Sequence, residues 1–234
     1  MFDSFISLVR EIYDDEFVPL HRPVFSGDEE KRVVQAVKSN FVSSAGQDIE
    51  IFERELASFT GARHAVATVN GTAALQVALH ISDVSTGDEV ITQAVSFVAT
   101  ANAISYCGAK PIFIDIELDT LSMSPSALRD FLQNRVEIKF GQAYNKKSGA
   151  RVKACLPMHS FGHPARIKEI SAICDEFNIT LIEDCAESLG SFVSDTHTGL
   201  FGKLAAISFN GNKSLTTGGG GVVITNNYNL ASKI

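Results

Sequence analysis

From about residue 26 onward the chain alternates helical spacing with short apolar runs, and that alternation constrains the fold more than any other feature. The runs are HAVATV (64–69), EVITQ (89–93), PIFIDI (111–116), KACLPM (153–158), ITLIED (179–184), AAISFN (205–210) and GVVIT (221–225). They are continuous rather than alternating, as expected of strands buried on both faces. Helical stretches at 71–82, 97–107, 124–134 and 165–177 separate most of them. Seven such runs with helical crossovers predict an α/β fold built on a mostly parallel, seven-stranded sheet. Only a lysine–glycine segment separates the last two runs, which is too short for a helical crossover, so one strand is expected to run antiparallel.

Upstream, SGDE (26–29) has the pattern of a capping box opening a helix whose inner face is Val33, Val34 and Val37. A second helix carries Ile49, Phe52, Leu56 and Phe59, with Gly61 placed to end it. Residues 1–22 read as an amphipathic arm, because Phe2, Phe5, Ile6, Val9, Ile12 and Tyr13 fall at helical spacing. One stretch, 134–153, breaks the rhythm. It is polar and locally basic with a turn signal at Ser148-Gly149, and reads as an inserted hairpin or excursion. A solvated loop accounts for it, and recognition of an anionic partner is the sharper alternative.

Composition narrows the function classes. With 234 residues the chain can bury a sizeable core, and a net charge of -7 argues against a broad nucleic-acid-binding surface. No apolar run has the length of a membrane span, and the acidic N-terminus does not resemble a secretory signal. Cys107, Cys155, Cys174 and Cys185 form no CxxC pair and sit among apolar neighbours, so reduced thiols and a cytoplasmic setting are expected, with no metal site.

Three segments lie where strands give way to helices or turns, the usual ligand-binding edge of an open α/β sheet. In VNGTAAL, Gly71 permits close approach and the first amides of the next helix suit a phosphate, although an ordinary strand–helix turn reads the same way. In LIEDCAESLGS, Asp184 ends a buried strand. Such a carboxylate is costly unless paired, and a protonated ring nitrogen would pair with it; a helix N-cap aspartate is the plain alternative. In SFNGNKSLTTGGGG, Ser208 closes a strand and Lys213 sits in the turn; this is not a Walker loop, because the glycines follow the lysine. A phosphate site, a buried anion and an amine together form the set that a pyridoxal phosphate (PLP) enzyme needs.

These segments, with SFVATANAISYCGAKPIFIDI and HTGLFG, resemble the DegT/StrS family of sugar-nucleotide aminotransferases through nearly the whole chain. The resemblance implies the three-layer α/β/α large domain of a type I PLP-dependent transferase over 23–234. It also implies a smaller C-terminal domain, which is expected to be missing from this chain. Lys213 is implied as the Schiff-base lysine and proton shuttle, and Asp184 as the partner of the pyridine nitrogen. Gly71, Thr72 and Ser208 would hold the phosphate, and Phe97 would stack on the ring. Glu187 stands where many relatives carry His or Gln beside the cofactor, and Asn210 and Asn212 would line the pocket. Because dehydrating relatives replace the lysine with histidine, Lys213 implies ping-pong transfer of an amine from L-glutamate to a nucleotide-linked 4-keto-6-deoxy sugar. Relatives are homodimers with shared active sites. PLHRPVFSGDEEKRVVQAVKSNFVSS and the 134–153 insertion are similar to the branch serving legionaminic-acid-type nonulosonate synthesis. The reading from another class is a non-catalytic dimerisation or regulatory module on the same fold, or an inactive fragment.

His159 and His163, in MHSFGHP, could be misread as a helical metal pair. The bracketing prolines place them in a loop near the active-site mouth.

Overall fold

The computed structural model describes residues 2–19, 21–43 and 46–234. Met1, Leu20, Ser44 and Ala45 lie outside them; the first two belong to the expected arm, and Leu20 and Ser44 to the branch-like PLHRP…FVSS segment. Two units are distinguished, residues 1–40 and 41–234.

The first unit contains helices α1 (Asp3–Tyr13) and α2 (Glu29–Ser39). Within the 1–22 stretch, Asp3–Tyr13 is helical, ending at Asp14 in the left-handed conformation. The capping box does not form. Asp28 occupies the N-cap position without a side-chain bond, and Glu29 folds back to accept the Gly27 N–H at 2.8 Å. With Gly27 and Asp28 between Ser26 and the helix, the N-cap position falls on Asp28 and the serine lies too early to cap it. Nor do Val33, Val34 and Val37 form an inner face; all three are exposed. A three-residue apolar stripe at helical spacing records which face is apolar, not that anything covers it.

The second unit begins with α3 (Gln47–Thr60), ended by Gly61 in the left-handed conformation as expected. It continues through β1 (His64–Thr68), α4 (Gly71–Ile81), β2 (Glu89–Gln93), α5 (Val98–Tyr106), β3 (Lys110–Ile114) and α6 (Pro125–Arg135). There follow β4 (Val136–Lys139), β5 (Gln142–Asn145), β6 (Val152–Cys155), α7 (Ile167–Glu176) and β7 (Thr180–Asp184). The small hairpin β8 (Phe192–Val193) and β9 (Thr196–His197) precedes β10 (Leu204–Ser208), β11 (Gly221–Thr225) and α8 (Tyr228–Ala231). All seven expected runs enter one sheet, in the order β1-β11-β10-β7-β6-β2-β3. β11 is antiparallel to both neighbours, and the β10–β7, β7–β6, β6–β2 and β2–β3 pairs are parallel.

Alternate residues of each strand feed opposite faces. Val90, Leu156, Ile182, Ala206 and Val223 pack with Leu75, Leu79 and Ile104 of α4 and α5. Ile91, Cys155 and Leu181 face Leu128, Leu132, Ile167 and Ile170 of α6 and α7, while Ile207 and Ile224 on the same face meet Leu56 of α3. This is a three-layer α/β/α sandwich. Strands β2, β10 and β11 are buried at every position, and β10 and β11 correspondingly read as mostly apolar runs.

The 134–153 stretch is a hairpin rather than a free loop. β4 and β5 pair antiparallel, Arg151 makes a two-bonded ion pair with Asp88, and Asn145 donates to Glu89 at 2.8 Å. All four cysteines are free, and Cys155, Cys174 and Cys185 are buried. Burial pushes the Cys185 thiol well above its usual range. No helix among the described residues is long and apolar enough to cross a membrane.

Candidate active site

The carboxyl ends of the parallel strands converge with the start of β11. Because β11 runs backwards, its first residue, Gly221, pairs with both Thr68 at the end of β1 and Ser208 at the end of β10. A Cβ at Gly221 would lie 2.4 Å from the Asn70 carbonyl, and one at Gly71 would lie 2.7 Å from the Ser208 Cβ. Both positions need glycine so that the α4 N-terminus can press against the sheet edge. Asn70 caps α4 by accepting from Ala73 N at 2.8 Å, and the first helical bond runs from Ala74 N to Asn70 O. The amides of Gly71 and Thr72 thus precede the helical ladder, next to the Ser208 hydroxyl, and form a cradle suited to an anion.

This cradle opens into a pocket of about 310 Å³ lined by Thr72, Phe97, Thr100, Asp184, Ser208 and Lys213, with Asn210 and Asn212 at one side. Asp184, 2% exposed, ends β7. Its carboxylate accepts from the Thr100 hydroxyl at 2.7 Å and from Ala186 N at 3.1 Å. Burial raises its pKa, against the lowering influence of the Thr100 hydrogen bond, Ala186 N and the Lys213 charge. It is not a helix cap, since turns follow it. The Lys213 ammonium lies 3.1 Å from Glu187 Oε1 and 5.9 Å from the centroid of the Phe97 ring. Glu187 is fixed in turn by Phe161 N, 3.1 Å from its second oxygen. Asn210 donates to Asn212 at 2.9 Å.

The sequence model of the DegT/DnrJ/EryC1/StrS aminotransferase family matches residues 24–234. The chain belongs to this family. It is 40% identical over 207 residues to EpsN of Bacillus subtilis (strain 168), named as a pyridoxal phosphate-dependent aminotransferase, covering 88% of this chain and 51% of EpsN. It is 35% identical to the GDP-perosamine synthase of Escherichia coli O157:H7, covering 92% of this chain and 55% of that protein. The crystal structure of DesI in the presence of its TDP-sugar product superposes with a TM-score of 0.80 at 28% identity, covering 94% of this chain and 52% of DesI. The chain spans about half the length of the curated relatives it matches. The sandwich is that of a type I PLP-dependent aminotransferase.

Of the cofactor-site residues expected from the sequence, all but Glu187 line the pocket, and Glu187 touches it through Lys213. Phe97 is at its rim and 63% exposed, with one ring face toward the lysine. His159 departs from expectation. It is fully buried behind β7, not at the mouth. Its Nδ1 accepts from Ala165 N at 3.0 Å, so Nε2 carries the proton and donates to Glu183 at 3.0 Å. Glu183 also accepts from Gly199, Phe201 and Gly202 N–H at 2.6–2.8 Å. His159, Glu183 and Cys185 could bring three ligand atoms together. However, both imidazole nitrogens and both carboxylate oxygens are already hydrogen-bonded, and burial pushes the thiol pKa up, so the cluster acts as a structural staple.

Thr100 and Glu183 are the residues that sequence reasoning passes over. A threonine in ATANAIS carries no motif, and its role appears only when α5 is laid beside β7.

Proposed function

We propose that this chain is the PLP-binding large domain, over residues 23–234, of an aminotransferase that moves an amino group from L-glutamate to a nucleotide-linked 4-keto-6-deoxy sugar. One observation carries the reading: a phosphate cradle, a buried carboxylate and a lysine meet in a single pocket. The donor set fits pyridoxal phosphate. Gly71, Thr72 and Ser208 would hold its phosphate, Asp184 its ring nitrogen, Phe97 a ring face and Lys213 its aldehyde carbon. Once bound, PLP supplies an electron sink that makes the carbon bearing the amine acidic.

The remaining work belongs to the protein. Asp184, an anion with two hydrogen bonds, keeps a ring nitrogen protonated. The Lys213 Nζ is the base that moves a proton at the substrate carbon, and Glu187, 3.1 Å away, orients it. Asn210 and Asn212 present amides at the pocket side. A named GDP-perosamine synthase and a structure holding a TDP-sugar product among the relatives support a nucleotide sugar as acceptor. The finer reading, a place in legionaminic-acid-type nonulosonate synthesis, rests on the likeness of 19–44 and of the 134–153 hairpin to that branch. The exposed apolar residues Val69, Val95, Phe97 and Val98 beside the pocket support a homodimer that covers this rim.

The test is addition of pyridoxal phosphate to the purified protein. A visible absorption band should appear, and Lys213→Ala should abolish it while leaving the fold intact by circular dichroism. Absence of the band in both this chain and a longer natural version would overturn the reading.

A further inference from the structure

Glu183 and Asp184 are adjacent on β7 and face opposite sides of the sheet, and they are treated very differently. A carboxylate offers about four lone-pair sites. Glu183 receives four donors, three of them backbone amides, and is fully saturated. Asp184, which lines the pocket, receives only two among the described residues, the Thr100 hydroxyl and Ala186 N. Thr100 is itself unusual. A helical threonine commonly returns its hydroxyl to the carbonyl three or four residues back. Thr100, fully buried in the first turn of α5, instead reaches across 84 positions to Asp184 Oδ2 at 2.7 Å.

Building on the PLP reading above, we propose that Thr100 is the positioning residue of this site: its hydroxyl holds Asp184 as an oriented anion toward a ring-protonated cofactor. The Ala186 amide fixes one oxygen and comes from the chain that carries Asp184, so it moves with the aspartate. Thr100 comes from a different element and is the only side chain among the described residues seen donating to this carboxylate. It therefore sets the carboxylate's rotation about its own stem relative to α4 and α5, the helices flanking the pocket. Without it, a buried carboxylate keeps its desolvation and loses the hydroxyl bond that opposes it.

Thr100→Val removes the hydroxyl and keeps the shape; Thr100→Ser keeps the hydroxyl. The titratable groups acting on Asp184 are Lys213, paired with Glu187, on the pocket side and His159, paired with Glu183, behind; neither substitution alters them. Two measurements are made: the carboxyl titration of Asp184 in the cofactor-free protein by carbon-13 NMR, with Asp184→Asn as assignment control, and the affinity for pyridoxal phosphate. In Thr100→Val the Asp184 midpoint should rise by about one pH unit and the affinity fall about tenfold or more. Thr100→Ser should retain wild-type behaviour in both. An unchanged midpoint in Thr100→Val overturns the proposal, as does an unchanged affinity, and so does Thr100→Ser failing like Thr100→Val, which would mean packing is responsible. If the midpoint rises as stated but the wild-type protein binds no pyridoxal phosphate, the PLP reading fails and Thr100 no longer positions a cofactor partner, while its hold on the Asp184 anion stands.

Discussion

Asp184 carries a burial cost that its two hydrogen bonds and the Lys213 charge offset only in part. Burial raises its pKa, so the folded protein without cofactor holds a proton there more tightly than the unfolded chain does. The native state is therefore relatively more stable at acid pH, and loses that advantage as pH rises through the folded pKa. Asp184→Asn should raise the Tm of the cofactor-free protein at neutral pH and flatten this part of its pH dependence, while weakening capture of pyridoxal phosphate; calorimetry across pH 4–8 checks it. His197 acts in the opposite direction. Its Nε2 accepts from Gly190 N at 2.9 Å, and burial depresses its pKa below 6.5. It contributes stability above about 6.5 that is lost as pH falls below it. His197→Gln should remove the acid-side slope that this imidazole adds. At this scale the sequence was informative where residue type and strand position coincide: Asp184 and Ser208 each end a strand, and Lys213 sits in the turn between two. It was silent on Thr100 and on the saturation of Glu183, because both depend on segments brought together from 16 to 84 positions away.

Between elements, two junctions hold the site in shape. The first is the seam between α4 and the sheet. Gly71→Ala would place a methyl 2.7 Å from the Ser208 Cβ, forcing the helix N-terminus off β10. The expected result is about 1–3 kcal/mol of lost stability, read by urea denaturation, with phosphate-dependent binding weakened more than that of pyridoxal lacking phosphate. The second is Glu183, which ties β7 to the turn before α7 and to the turn before β10 through four hydrogen bonds. Glu183→Ala leaves buried donors unpaired and should destabilise the fold by about 3–5 kcal/mol. The number of strands and the one antiparallel strand were legible from the runs and the short last connection, whereas the strand order emerges only in the fold. The failed capping box and uncovered α2 stripe show the limit of the same method, since local pattern names an apolar face but not its partner.

For the whole molecule, the exposed rim residues Val69, Phe97 and Val98 stand beside a pocket whose other wall is well packed. If a second copy covers that rim, Val98→Glu should weaken self-association, seen as a shift toward monomer in sedimentation velocity, with the secondary structure unchanged.

The reversed strand has one more consequence. Among the described residues β1 pairs only with β11, so His64 waits for Thr225 before its edge is paired. At roughly 5–20 residues per second of synthesis, that interval is on the order of ten to thirty seconds. Through all of it Asn70 and Gly71 lack the Gly221 backbone that they pack against. The ligand cradle is thus completed only when β11 has been made, long after Asn70 and Gly71.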